Sequence, residues 1–276
     1  MSRPCQGDRP AGSDPNGRRR VEPVPFISPG ACSAWQLKPS IPGLAGQIEN
    51  EMFCVRLAPR LDLPAPRCWT ERFGDISVVV IERYDRQRIT GRRTLPIDKP
   101  GGEVRRVHQE DCCQALKVDP RNKYQRDGGP GIRAIMELLS GSGRPSDDRD
   151  RFIRACAYNF VIGGTDAHAK NYGLLLSAGG RFRLAPLYDI VSWLPYSRNK
   201  REDKLAMSVD GLYEFDRILP RHWEAEAKRS GYDSPAPSPM FVIFWPGCRK
   251  KPGRSLLPAS RRARWYHTAP RMSKSA

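Results

Sequence analysis

"NFVIGGTDAHAKNYGLLL", Asn159 to Leu176, is the stretch whose reading decides the fold. An apolar segment ends at two glycines, Asp166, His168, Lys170 and Asn171 follow within a few residues, and the chain then turns apolar again. Glycine after a helical pattern marks a helix C-terminus, so the polar residues are predicted on a loop between a helix and a strand. Asp166 and Asn171 stand as D-x-x-x-x-N. Phosphoryl transfer needs that pairing, because one carboxylate must orient an attacking hydroxyl while an amide oxygen helps hold magnesium against the phosphates. Lys170, between them, is a candidate to neutralise the transferred group, and His168 to touch a nucleotide phosphate or brace the loop.

Downstream, "GLLLSAGGRFRLAP" reads as a hairpin with strands over 173–176 and 181–185. It returns the chain to "LYDIVSW", whose Asp189 is a second candidate magnesium ligand. Upstream, "DDRDRFIRACAYNFVIGG" has acids in its first turn and apolar residues at helical intervals, which predicts a helix ending at Gly163 or Gly164.

Further upstream, "SAWQLKPS" is predicted as a short strand carrying Lys38, a candidate phosphate ligand. Residues 45–61 are predicted as an amphipathic helix that Pro59 breaks near its end. Glu49 and Glu51 lie on it, Glu49 read as a solvated first-turn acid and Glu51 as the candidate partner of Lys38. "DISVVVIERYDR" is predicted as a buried strand over 76–81 with a polar exit. That exit, Glu82 to Arg86, could hold an adenine ring through its backbone, with Glu82 and Tyr84 as candidate residues. "QRITGRRTLPIDKPGGEVRR" reads as loop or ragged hairpin, "HQEDCCQALKVDP" as a helix that His108 begins, "YQRDGGPGI" as a turn, and "IRAIMELLSG" as a helix with a glycine end. His222 is expected to pack beside Trp223.

The chain has 276 residues and a formal charge of +17. Nine Lys or Arg against one Asp lie in 233–276, and the two ends, 1–44 and 233–276, hold 15 of the 26 prolines, so both ends are expected to be irregular. Charges on proline-broken tails do not make the basic, aromatic-studded element of a specific nucleic-acid reader. The eight cysteines show no CxxC pair and no zinc-finger spacing, and Cys54 and Cys156 read as small core residues. No apolar run of 18 residues and no signal-peptide pattern is found, so a soluble, cytoplasmic protein is expected.

At "LKPS", "ENEMFCVRLA", "IERYDR", "HQEDCCQAL", "KYQRDGGPGI", "NFVIGGTDAHAKNYGLLL" and "LAPLYDIVS" the chain resembles the HipA-type serine/threonine kinases of bacterial toxin–antitoxin systems. The resemblance runs over roughly residues 35 to 230. It implies Asp166 as proton acceptor, Asn171 and Asp189 as magnesium ligands, and Lys38 and His168 as nucleotide contacts. It also implies ATP and Mg²⁺ as cofactors, a protein substrate, possible members of the translation machinery among such substrates, and a small DNA-binding antitoxin of the HipB type as partner. The family's Ser-x-x-Gly-x-Gln-x-Lys phosphate loop is not visible in 1–34.

The expected architecture is α+β, a two-lobed protein-kinase-like fold with a mostly helical larger lobe. The expected divisions are an irregular segment 1–34, a smaller nucleotide-binding lobe 35–100, a helical catalytic lobe 101–232 and a basic tail 233–276. The expected function is ATP- and Mg-dependent phosphorylation of a protein serine or threonine. The alternative is a kinase-fold remnant that binds nucleotide or an antitoxin partner without transferring phosphate.

Overall fold

The computed structural model describes residues 34–91, 93–95, 103–197 and 203–232. The expectations for 1–33 and 233–276 lie outside the described residues.

The described chain opens with β1 (Trp35–Pro39), α1 (Gln47–Leu57), β2 (Cys68–Phe73) and β3 (Ile76–Glu82). The strands form an antiparallel sheet in the order β1-β3-β2, with Lys38 opposite Val79. Ile48, Glu51, Cys54 and Val55 make the buried face of α1, the three- and four-residue rhythm of an amphipathic helix. Ile48 and Val55 join Cys68, Val79 and Ile81 of the sheet in one core. The helix tightens into a 3-10 turn over Ala58–Leu61, where Pro59 cannot supply an α-helical N–H.

A second sheet, β4 (Arg86–Thr90), β5 (Arg93–Leu95) and β6 (Glu103–Arg106), has the order β5-β4-β6. The stretch expected as a loop or ragged hairpin is thus a three-stranded antiparallel sheet with β4 in the middle. A third sheet joins β7 (Gln109–Asp111) to β8 (Gly173–Leu176) and β9 (Phe182–Leu184). Here the structure corrects the helix predicted to begin at His108: Gln109–Asp111 pair with β8, and only α2 (Cys112–Ala115) is helical. Asp111 caps α2, accepting from Gln114 N–H while the Gln114 side chain accepts from Asp111 N–H.

Helices α3 (Ile132–Ser140) and α4 (Pro145–Ile162) pack together, burying Ile135, Met136, Leu139, Phe152, Ile153 and Tyr158. Each such side chain contributes roughly 1.5–3 kcal/mol relative to exposure. The hairpin β10 (Lys204–Val209) and β11 (Leu212–Glu214) and the helix α5 (Pro220–Arg229) complete the described chain. His222, beside the buried Trp223, is half-buried, and its Nδ1 accepts from Leu219 N–H at the start of α5.

Buried polar contacts fix α4 against the first sheet's helix. Tyr158 donates to the Cys54 carbonyl at 2.6 Å, and Arg154 to the Leu61 carbonyl at 2.6 Å. Cys54 and Cys156 are buried, as their apolar neighbours in the sequence suggested. Among the described residues no helix is long and apolar enough to cross a membrane.

Candidate active site

Three distant segments meet at Lys38. Its ammonium donates to Glu51 Oε1 at 2.5 Å and to Asp189 Oδ1 at 2.6 Å. Glu51 lies on the buried face of α1 with 1% of its side chain exposed, whereas Glu49 points to solvent. A buried carboxylate needs a cation, and this selects Glu51 as the partner of Lys38. Burial alone would lower the Lys38 pKa, but the Glu51 and Asp189 carboxylates outweigh it and hold it above the usual lysine value. Asp189 has φ 55, in the left-handed region that few residues other than glycine adopt, and 47% of its side chain is exposed.

Two of this trio border a cavity of about 390 Å³, within the range of small-molecule sites. Lys38 and Asp189 line it, as do Glu82, Tyr84 and Gln109. Glu82 turns its carboxylate to Arg67, 2.5 Å away. Tyr84 stacks on Tyr188 with ring centroids 5.2 Å apart and donates to Gln109 Oε1, and burial pushes its phenol up to about 12. Glu82 N–H donates to the Arg67 carbonyl and Arg83 N–H to the Ala34 carbonyl. Tyr84 N–H takes no backbone partner among the described residues.

The predicted loop follows α4. Gly163 ends the helix at φ 67, the left-handed conformation that favours glycine, and a Cβ there would also push the exposed Leu194 side chain aside. The Asp166 carbonyl accepts from His168 N–H at 2.8 Å and from Asn171 Nδ2 at 2.7 Å. Since the Asn171 nitrogen is held there, its amide oxygen is the atom oriented away for a cation. The Asp166 side chain is 63% exposed and accepts from the Tyr124 phenol; His168 Nε2 lies 3.7 Å from it. His168 is buried against the Tyr124 ring, its Nδ1 without a partner among the described residues, and burial holds its pKa below the usual histidine value against the pull of Asp166. Burial and the bond to Asp166 push the Tyr124 phenol up to about 12.

Lys170 does not join this group. It turns to Asp111 Oδ2 at 2.7 Å, tying the loop to α2. Tyr188, adjacent to Asp189, donates to the Lys170 carbonyl at 2.6 Å and so links the Asp189 segment to the loop.

A magnesium ion takes hard oxygen donors, one or two carboxylates at most, with phosphate oxygens and water completing the shell. An Asn171 amide oxygen and the Asp189 carboxylate fit that donor set. No cluster of three His, Cys, Asp or Glu side chains able to hold a metal occurs among the described residues, and magnesium held with a nucleotide needs none.

Sequence reasoning did not single out Tyr124, Asn50 or Tyr188. Tyr124 sits in a segment legible only as a turn, and nothing local marks a phenol whose partner lies 42 residues away. Asn50 stood hidden beside the acids of α1.

Comparison with known proteins places the chain in a family. The sequence profile of the HipA-like C-terminal domain matches residues 19–241. Y4mE of Sinorhizobium fredii, a kinase homologue, is 35% identical over 207 residues, covering 75% of this chain and 46% of that protein. The serine/threonine-protein kinase toxin HipA of Shewanella oneidensis is 29% identical over 178 residues, covering 60% and 38%. The solved complex of Shewanella oneidensis HipA with HipB and operator DNA superimposes with a TM-score of 0.63 at 25% identity, covering 73% of this chain and 46% of that one. The chain therefore spans less than half the length of these relatives.

Proposed function

Because the chain belongs to the HipA-like kinase family, we propose that its cavity binds Mg-ATP and that its loop transfers the γ-phosphate to a serine or threonine of a protein. The observation that carries this reading is the contact of Lys38 with both Glu51 and Asp189 at the wall of the 390 Å³ cavity. Three segments far apart in sequence converge there on one ammonium, and a lysine oriented by a helix glutamate beside a further aspartate is the kind of set that phosphoryl transfer uses.

In this reading the fold is two-lobed, with 35–100 as the smaller lobe and 101–232 as the larger, more helical one. Lys38 holds nucleotide phosphates and Glu51 orients it. The main chain of Glu82–Tyr84 faces the adenine, His168 contacts phosphate, and Asn171 and Asp189 hold magnesium. Magnesium, when bound, supplies positive charge against the phosphate oxygens. Asp166 accepts the proton of the acceptor hydroxyl as its oxygen bonds to the γ-phosphorus; the bond from that phosphorus to the bridging oxygen breaks and ADP leaves. Lys170 either braces the loop through Asp111 or leaves it to meet the transferred group. A small DNA-binding protein of the HipB type is the proposed partner, since the Shewanella oneidensis relative is solved in complex with one, and a protein of the translation machinery is the proposed substrate.

The test is to incubate the purified chain with a bacterial lysate and γ-labelled Mg-ATP. Label in protein phosphoserine or phosphothreonine supports the reading. Nucleotide binding with no transfer would instead select a binding protein of the kinase fold, and label confined to small molecules would select another acceptor class.

A further inference from the structure

Asn50 precedes Glu51 on α1 and grips the main chain of Ser192 at both ends of its amide. Its Nδ2 donates to the Ser192 carbonyl at 2.7 Å, and its Oδ1 accepts from Ser192 N–H at 3.2 Å. Only a carboxamide of this length can do both, since aspartate has no donor and alanine has neither group. The same amide has two lesser contacts, Nδ2 with the Tyr196 hydroxyl and Oδ1 with the Cys54 thiol, each at 3.4 Å.

The contact closes a ring. Ser192 lies three residues beyond Asp189; Asp189 bonds Lys38, Lys38 bonds Glu51, and Glu51 adjoins Asn50. The segment carrying Asp189 is thus held against one helix at two points, through Lys38 at one end and directly at the other. Two points fix orientation as well as position. Asp189 itself has φ 55, a left-handed conformation that aspartate tolerates at some cost and that two anchors help to hold.

We propose that Asn50 is a positioning residue that holds Asp189 in the orientation needed to take the metal of the bound nucleotide. The inference rests on the reading of the cavity as a Mg-nucleotide site. It assigns Asn50 no contact with the ligand; its effect passes through the Ser192 main chain, as partners outside a metal's ligand shell commonly orient the ligands within it.

The experiment compares the full chain with Asn50→Ala and Asn50→Asp, reading two quantities. The first is the affinity for ADP with and without Mg²⁺, by calorimetry. The second is hydrogen exchange of the Ser192 amide in the ligand-free chain. The expected result is faster exchange at Ser192 in Asn50→Ala, and in both variants a loss of about 10-fold or more in the gain that Mg²⁺ gives to ADP binding, with metal-free affinity retained. Asn50→Asp does not rescue, because it sets a carboxylate oxygen against the Ser192 carbonyl. An unchanged Mg²⁺ gain, unchanged Ser192 exchange, or an equal fall in affinity with and without metal would each overturn the proposal while leaving the nucleotide site standing. If the parent chain gains nothing from Mg²⁺, the reading of the cavity fails, and the role given to Asn50 falls with it.

Discussion

Asp189 Oδ1 accepts a 2.6 Å hydrogen bond from Lys38 Nζ across 151 residues of chain. The same ammonium holds the buried Glu51 at 2.5 Å, so one cation serves two carboxylates of unequal burial. That inequality sets what each substitution does.

Lys38→Met leaves the Glu51 carboxylate buried without its cation, and is expected to destabilise the chain by about 2–4 kcal/mol. Glu51→Gln is expected to cost less, because Lys38 keeps Asp189. The pair Lys38→Met with Glu51→Leu should recover much of the loss. Urea denaturation of the three variants checks the order, and a Glu51→Gln chain less stable than Lys38→Met would contradict it.

Gly129 fixes the segment that presents Tyr124 to Asp166. A Cβ there would lie 2.1 Å from the Asn122 carbonyl oxygen and 2.7 Å from that of Tyr124, both main-chain atoms that cannot swing aside. Gly129→Ala is expected to cost about 1–3 kcal/mol and to release the Tyr124 phenol from Asp166. Thermal melting reads the first effect, and the NMR signal of ring-labelled Tyr124 the second. A variant that melts with the parent and keeps the signal unmoved would show that the segment yields freely.

Asp85 predicts an acid-side dependence of stability. Burial would raise its carboxyl, but the guanidinium groups of Arg83 and Arg86 outweigh burial and hold it below the usual aspartate value. The unfolded chain therefore binds this proton first as pH falls, and the stability the ion pairs give is present above pH of about 4 and lost below it, down through the native value. In urea titrations, Asp85→Asn is expected to be less stable than the parent at pH 6 and to lose less on going to pH 3. Parallel curves for the two chains would remove Asp85 from the acid limb.

Thiol chemistry gives an independent check on the core. Cys54, Cys68, Cys112, Cys113 and Cys156 are all buried, and burial pushes each thiol up, Cys54 to about 11. Since the thiolate is the reactive form, these five are expected to resist a thiol reagent in the native chain and to react once it unfolds. Peptide mass spectrometry would locate the label, and rapid native labelling at Cys112 or Cys156 would contradict the packing.

Much of this was legible in the sequence where periodicity and glycine punctuation were strong. The helix ending at Gly163, the hairpin after it and the strand carrying Lys38 all form as read, because each has a local signal. Pairing over long distance was not legible. Gln109–Asp111 read as the start of a helix because acids before an apolar run resemble a first turn, yet these residues pair with β8, and the partner strand decides. Cys68–Phe73 and the segment 204–229 gave no prediction although they form β2, β10, β11 and α5. In the site, Lys38 pairs with Glu51 as expected, whereas its bond to Asp189 was not read from the sequence. The Asp111 partner of Lys170 and the Tyr124 partner of Asp166 depend on contacts that no local pattern encodes.

The central claim is that Asp166 and Asp189 serve one transfer reaction at the cavity beside Lys38. The most direct measurement is transfer of labelled γ-phosphate from Mg-ATP by the purified chain, to itself and to added protein, beside Asp166→Asn and Asp189→Ala chains shown to be folded. The account predicts label with the parent and a loss of at least about 100-fold with either variant. Equal labelling by the parent and the folded variants would place the chemistry elsewhere and contradict it.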